Sequence, residues 1–190
     1  MMASGFAACA NTQHTIFIEP ELYIKPVNLG KGNKVNLKVV DGRPQFAVFN
    51  RKTAPKLGFG GSLNTVTIVP DSNISDPIYS EVHDGLRQLG FRPARGVKLE
   101  RSLVINVVQL KMNYRHHVSE ARVHARLKTA IRIIAKNGKK KYKNIYKSNM
   151  EKSSRILVGK FKNEQFVNNG LSLALQKMFE DKKLWFFLSQ

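Results

Sequence analysis

Apolar and polar positions alternate over several stretches of the chain and recur at helical spacing over two others. Val35, Leu37 and Val39 interleave with Asn36, Lys38 and Val40, predicting a strand that runs into the turn signal Asp41-Gly42-Arg43-Pro44. Shorter strands are predicted at Thr15–Ile18, stopped by Pro20, at Phe46–Phe49, and at Thr65–Val69, closed by Pro70. Leu103 to Leu110 is a nearly continuous apolar run, short enough for a central strand covered on both faces. Then comes the best hairpin in the chain. Val123, Ala125, Leu127, Thr129, Ile131 and Ile133 share one face, and His124, Arg126, Lys128 and Arg132 the other. Asn137-Gly138 is a type I′ turn signal. Pairing across it sets Ile133 opposite Tyr142 and Thr129 opposite Tyr146 on the apolar face. The same register opposes Lys128 to Lys147 and Arg132 to Lys143 on the outer face.

Two helices have clear signatures. Asp76 is a good N-cap and Pro77 suits the first helical position, after which Ile78, Val82, Leu86 and Leu89 line one face. Gly90 fits the left-handed position that ends a helix, while Gly85 in the middle weakens it. A second helix is predicted from near Asn163, with Glu164 in its first turn and a stripe of Phe166, Val167, Leu171, Ala174, Leu175 and Met178. The run Leu184–Leu188 is far too short to span a membrane and reads as a packed tail. Residues 19–33, with Pro20, Pro26, Gly30 and Gly32, read as loop or tether, and Arg51–Gly61 as an exposed basic loop. The economical architecture is α+β: a largely antiparallel sheet with both amphipathic helices packed on one face.

Composition adds one strong constraint. At 190 residues, 42% of them hydrophobic, the chain suits one domain with a core, but 32 Lys and Arg against 13 Asp and Glu give a net charge of +19. Such a surface attracts polyanions: nucleic acid, anionic lipid headgroups or acidic envelope polymers. The chain has a single cysteine, Cys9, so no intramolecular disulfide can form. Residues 1–8 are uncharged and mostly small or apolar, and Phe6-Ala7-Ala8-Cys9 resembles the lipobox of bacterial lipoproteins. On that reading residues 1–8 are the remnant of a signal peptide whose start lies upstream, and Cys9 carries the lipid. Residues 9–33 would then be a tether and 34–190 a single domain. Ala10, in place of Asp, is similar to the pattern of lipoproteins sorted to the outer membrane.

From about Ser80 to Leu188 the sequence resembles the YajG family of bacterial lipoproteins. The matching landmarks are the helix ending Leu89-Gly90-Phe91, the strand Leu103–Leu110, and the strand ending Ala135-Lys136-Asn137-Gly138. The basic return strand with Tyr142 and Tyr146, and the terminal helix closing on Met178-Phe179-Glu180-Asp181, complete the series. The resemblance implies an outer-membrane lipoprotein on the periplasmic face, and it places a lipidated cysteine where Cys9 stands. This chain is far more basic than the family pattern.

Catalytic motifs do not emerge. His116-His117 and His124 have Glu120 as their nearby acid, which falls short of the converging set a metal needs. Gly58-Phe59-Gly60-Gly61 lacks the lysine and helix of a phosphate loop. Asp41 and Arg43 can pair across their turn for structure. No enzyme activity and no cofactor is implied. The candidate site is a set of cations expected on the wet face or tip of the hairpin: Lys128, Arg132, Lys139, Lys140, Lys141, Lys143 and Lys147. Their expected partners are anionic lipid headgroups, peptidoglycan or an acidic surface of an envelope protein complex. The alternative is a basic nucleic-acid-binding protein of the cytoplasm, with tyrosines interleaved among cations as a stacking platform. The predicted register argues against that platform by turning Tyr142 and Tyr146 inward.

Overall fold

The computed structural model describes residues 12–49, 66–117, 122–154 and 159–190. The chain runs β1 (Thr12–Ile16), β2 (Lys34–Asp41), β3 (Val66–Pro70), α1 (Ser75–Gln88), β4 (Arg92–Ala94), β5 (Arg101–His117), β6 (Arg122–Asn137), β7 (Lys140–Ser154), α2 (Lys160–Phe179) and α3 (Lys182–Ser189). Five strands form one mixed sheet in the order β4-β2-β5-β6-β7, while β1 and β3 form a small parallel pair. The long β5-β6-β7 ladders are antiparallel; β2 joins both β4 and β5 in parallel. This is the α+β fold that the pattern predicts, with a third helix and a parallel edge added.

Burial follows strand parity. Leu37 on β2, Leu103, Ile105 and Val107 on β5, and Leu127, Ile131, Ile133 and Ala135 on β6 are fully buried under the helices. Val108 is the extra residue of a β-bulge between Val107 and Gln109. An inserted residue reverses parity, so beyond it Leu110 and Met112 carry the core face. The helix layer contributes Ile78, Val82 and Leu86 from α1 and Val167, Leu171, Leu175 and Met178 from α2. The apolar tail is α3, whose Trp185 is buried against the Phe179 ring at 5.0 Å and donates from Nε1 to the Phe179 carbonyl at 2.8 Å.

Several elements depart from the sequence pattern. The hairpin turns on Gly138-Lys139, because Asn137 pairs with Lys140. Gly138 has φ +58° and Lys139 is not left-handed, the geometry of a type II′ turn with glycine first. The register therefore moves by two: Ile131 faces Tyr146 and Ala135 faces Tyr142. A shift of two preserves parity, so both tyrosines still point inward. Phe46–Phe49 forms no strand, only an isolated bridge from Phe49 to Ile68. α1 starts one residue before Asp76, with the Asn73 side chain accepting from the Ser75 N–H at 3.0 Å. α2 starts at Lys160, which moves Glu164 out of its first turn.

The stretch read as a tether is the largest departure. Beyond β1, alternate residues Ile18 and Pro20 are buried, while Phe17, Glu19, Glu21 and Tyr23 are exposed. The N–H groups of those exposed residues donate to side chains of α2: Phe17 to Glu164 at 2.9 Å, Glu19 to Asn168 at 3.0 Å, Glu21 to Ser172 at 2.8 Å and Tyr23 to Gln176 at 3.3 Å. The pitch explains the match. Two extended residues advance about 6.6 Å and four helical residues about 6 Å, so every second amide meets every fourth helix position. On the other side the Leu22 N–H donates to Glu81 of α1 at 2.7 Å. The strap thus lies between the two long helices. Gly85 belongs to that packing, since a Cβ there would sit 2.5 Å from Ile24 and 2.6 Å from the Phe179 ring.

Candidate partner-binding face and groove

One face of the five-stranded sheet carries the helices, and the other holds the cations. Lys128, Arg132, Lys143 and Lys147 alternate with the buried positions of β6 and β7 and are all exposed, as is Lys141. Lys139 sits in the turn. Lys140 has the parity of Tyr142, so at the tip it projects toward the helix side, apart from the other six. Strand parity places Arg126 and Lys136 of β6 on the same open face, and it adds Lys38 of β2 and Lys111 of β5, two residues that the hairpin pattern alone does not gather.

The register corrects the expected charge pairs. Lys147 stands opposite Ala130 and not Lys128, and Lys143 stands opposite Ile134 and not Arg132. Lys128 faces Lys111 on β5 and Asn149 on β7; Lys136 faces Lys141 directly. Like charges directly opposed are destabilising, so these pairs are a standing demand for counter-charge. Strands β2, β5, β6 and β7 contain two acids, Asp41 and Glu151. Both are engaged. Glu151 pairs with Arg126, its cross-strand partner. Asp41 takes Arg43 in a two-point clamp, Nε to Oδ1 and Nη2 to Oδ2, each at 2.7 Å. Burial pushes the Asp41 carboxyl up, but the Arg43 hydrogen bonds and charge outweigh it and hold the carboxyl below its ordinary range.

That clamp shapes a groove. The Arg43 side chain is 2% exposed, and its Nη1 is buried without a partner. Gly42 lies against Asn106 so closely that a Cβ would fall 2.2 Å from Oδ1. The segment leading on from this turn passes over the bulge in β5 and leaves a groove of about 320 Å³ between them. Its lining includes Val108, Ala130 and Ile145, with Lys111 and Lys147 among its cations. No acid is among the described residues that line the groove. An apolar floor with cationic margins suits an anionic group that also carries apolar surface, and it gives the open face a shaped feature as well as a charge.

The tyrosines lie on the opposite side of the sheet. The hydroxyls of Tyr142 and Tyr146 both donate to Asp181 Oδ2, at 2.7 and 2.5 Å, and Asn144 Nδ2 donates to the same oxygen at 3.2 Å. Their rings are therefore held by the α2–α3 corner, away from the open face. Among the described residues no group of three or more His, Cys, Asp or Glu is placed to hold a metal. His124 lies in β6, and the side chains of His116 and His117 lie outside the described residues, as do Cys9, Arg51–Gly61 and the glycine-rich Gly58–Gly61. No helix among the described residues is long and apolar enough to cross a membrane.

The comparisons assign the fold to a family. A model of a family described as uncharacterized lipoproteins, YajG-like, matches residues 20–189, nearly the whole described chain. The chain belongs to this lipoprotein family. The match begins at Pro20 and so includes most of the strap. The crystal structure of a Xanthomonas campestris protein of the DUF330 family is similar at 12% identity and a TM-score of 0.51, covering 94% of each chain. That likeness concerns the fold alone. A second solved structure, of an uncharacterized protein, is 10% identical with a TM-score of 0.49, covering 86% of this chain and 98% of that one. Among curated proteins none matches. Membership makes this YajG-like chain a lipoprotein of the bacterial envelope.

Proposed function

We propose that the protein is anchored to the outer membrane by lipid on Cys9, faces the periplasm, and acts as a non-catalytic binding or scaffold domain that holds an acidic partner across its open sheet face. One observation carries this reading. The open face carries nine of the Lys and Arg residues named above on four strands, with Lys139 at the turn, and the two acids in those strands are already engaged by Arg43 and Arg126. Apolar side chains lie among the cations, Ile145 at 43% exposure being the most open. A purely solubilising surface has no use for them. Suitable partners are an anionic envelope polymer such as peptidoglycan or an acidic surface in an outer-membrane or secretion assembly.

Two measurements test it. Mass spectrometry of the membrane fraction should find a triacylated amino terminus at Cys9, and Cys9→Ala should release the chain from that fraction. Reversing Lys128, Lys143 and Lys147 to Glu should leave the thermal unfolding curve unchanged within about 1 kcal/mol, because exposed rim charges contribute little to folding. The same variant should lose salt-sensitive co-purification with the acidic partner. Undiminished co-purification at low salt would sink the binding face and leave the charge a matter of solubility.

A further inference from the structure

The anchor-proximal end of the domain carries a feature unlike the open face. α2 begins with Lys160-Phe161-Lys162, and the Phe161 side chain is 67% exposed. Phe17, 51% exposed, lies at the same helix end: its N–H donates to Glu164 and its ring has Lys160 Nζ 5.4 Å from the centroid. His14 of β1 lies level with Asn163, whose Oδ1 also accepts from Tyr114 at the far end of β5. The chain thus leaves the domain toward its amino terminus at this end. Cys9 is three residues before Thr12, which limits its reach from β1 to about 11 Å. Arg122 at the start of β6 and Lys152 near the end of β7 add exposed cations there. Of the acids nearby, Glu164 accepts from the Phe17 N–H and Glu151 is bound to Arg126, while Glu19 lies exposed two residues further along the strap, away from the helix end.

We propose that the amino end of α2, with Phe161 and Phe17 flanked by Lys160 and Lys162, is a membrane-docking surface that seats on an anionic leaflet and stands the sheet away from it. Exposed aromatic rings between lysines match the interface of a bilayer, where rings enter the headgroup layer and cations meet lipid phosphates. The inference rests on the lipid-anchor reading in taking the membrane as the occupant. It also orients the molecule. β6 runs from this end at Arg122 to the hairpin turn at Asn137, roughly 50 Å of strand. The tip with Lys139, Lys140 and Lys141 is therefore many screening lengths, about 8 Å each, from the leaflet. Lipid headgroups cease to be candidates for the tip, which projects toward partners across the periplasm.

The test uses the full chain as Cys9→Ala, so docking is read without a lipid. Phe161→Trp in this background should shift its added emission to the blue on mixing with vesicles of phosphatidylethanolamine and phosphatidylglycerol at low salt, but not with phosphatidylcholine alone; Trp185, already buried, contributes a constant signal. Lys160→Glu with Lys162→Glu should weaken that binding roughly thirtyfold or more, from the usual contribution of cations at an anionic surface. Phe17→Ser with Phe161→Ser, read by cosedimentation with the same vesicles, should weaken it further, with thermal melts confirming that each variant folds. No blue shift at low salt overturns the proposal. So does binding that survives these changes and is lost on reversing Lys139, Lys140 and Lys141, which would put the tip on the membrane. The anchor reading fails separately, if membrane-extracted protein carries no lipid on Cys9.

Discussion

The Tyr146 hydroxyl donates to Asp181 Oδ2 across 2.5 Å, tying the return strand of the hairpin to the corner between the last two helices. Asp181 collects Tyr142 and Asn144 on the same oxygen, and with Oδ1 it caps α3 by accepting from the Lys183 and Leu184 N–H groups. One carboxylate thus fixes β7 to α3. Asp181→Ala removes these acceptors at once and strands the Tyr146 hydroxyl in a mostly buried site. The expected loss is about 3 kcal/mol, combining charged hydrogen bonds with a helix cap. Urea unfolding measures it. Tyr142→Phe, which removes a single bond to a more exposed group, should cost about 1 kcal/mol.

The same latch predicts the pH limits of the fold. Burial alone would raise the Asp181 carboxyl, but the bonds from Tyr146, Tyr142 and Asn144 outweigh it and hold it below 3.8. A depressed acid gives stability above its unfolded value that is lost as pH falls through the native one. At the alkaline end the order reverses. Burial, then the Asp181 bond and charge, push Tyr146 and Tyr142 up, and burial pushes Tyr114 to about 12 despite its bond to Asn163. These raised groups give stability below the ordinary tyrosine value of 10.0 that is lost as pH climbs above it. Stability measured against pH should fall at both ends. In Asp181→Ala the acid-side decline should shrink.

How far the sequence carries depends on what satisfies each backbone. Strand faces were legible because parity alone decides burial, so Leu127, Ile131, Ile133, Tyr142 and Tyr146 are all inward although the register moved by two. The turn was not, because Asn137 is held in the strand by donating from Nδ2 to the Phe187 carbonyl of α3 at 3.0 Å, a contact from fifty residues away. The strap was hidden for a related reason. Its amides are satisfied by helix side chains and not by a neighbouring strand, and Pro20 breaks the strand signal. Its signature lies in α2, where Glu164, Asn168, Ser172 and Gln176 recur every fourth residue like an ordinary solvent face. The cations of the open face were legible on the hairpin. Lys38 and Lys111 joined them only once β2 and β5 were set beside it.

Asn168 offers the cleanest test of the strap. Its Oδ1 accepts from the Glu19 N–H at 3.0 Å and its Nδ2 donates to the Phe17 carbonyl at 3.0 Å, copying the two-bond pairing of a neighbouring strand. Asn168→Ala should cost about 1 kcal/mol. Hydrogen exchange gives the location: amides from Phe17 to Tyr23 should exchange faster, while those of the β5–β6 ladder keep their protection. Uniform loss of protection would mean that the strap unfolds only with the whole domain.

Thr129 is the position where one substitution should stabilise the protein. Its side chain is buried, at 1% exposure, and its Oγ1 has no hydrogen-bond partner. The nearest competitor explains why. Ser148, directly across the strand pair, donates from Oγ to the Gly170 carbonyl at 2.7 Å and so uses the acceptor that α2 presents there. Gly170 brings α2 close to the sheet here, since a Cβ would lie 2.4 Å from Leu127 Cδ2 and 3.1 Å from the Thr129 hydroxyl. The helix is therefore pressed against an unpaired hydroxyl that has paid its desolvation cost for nothing. Thr129→Val keeps the β-branched shape favoured in strands and replaces the hydroxyl with a methyl of similar size. The expected gain is about 1 kcal/mol, read as a higher urea midpoint at unchanged slope. Ser148→Ala, which strips the Gly170 carbonyl of its partner, should move the midpoint the opposite way by a similar amount. A loss of stability in Thr129→Val would show that its hydroxyl has a partner in solution, and the contrast with Ser148→Ala would then vanish.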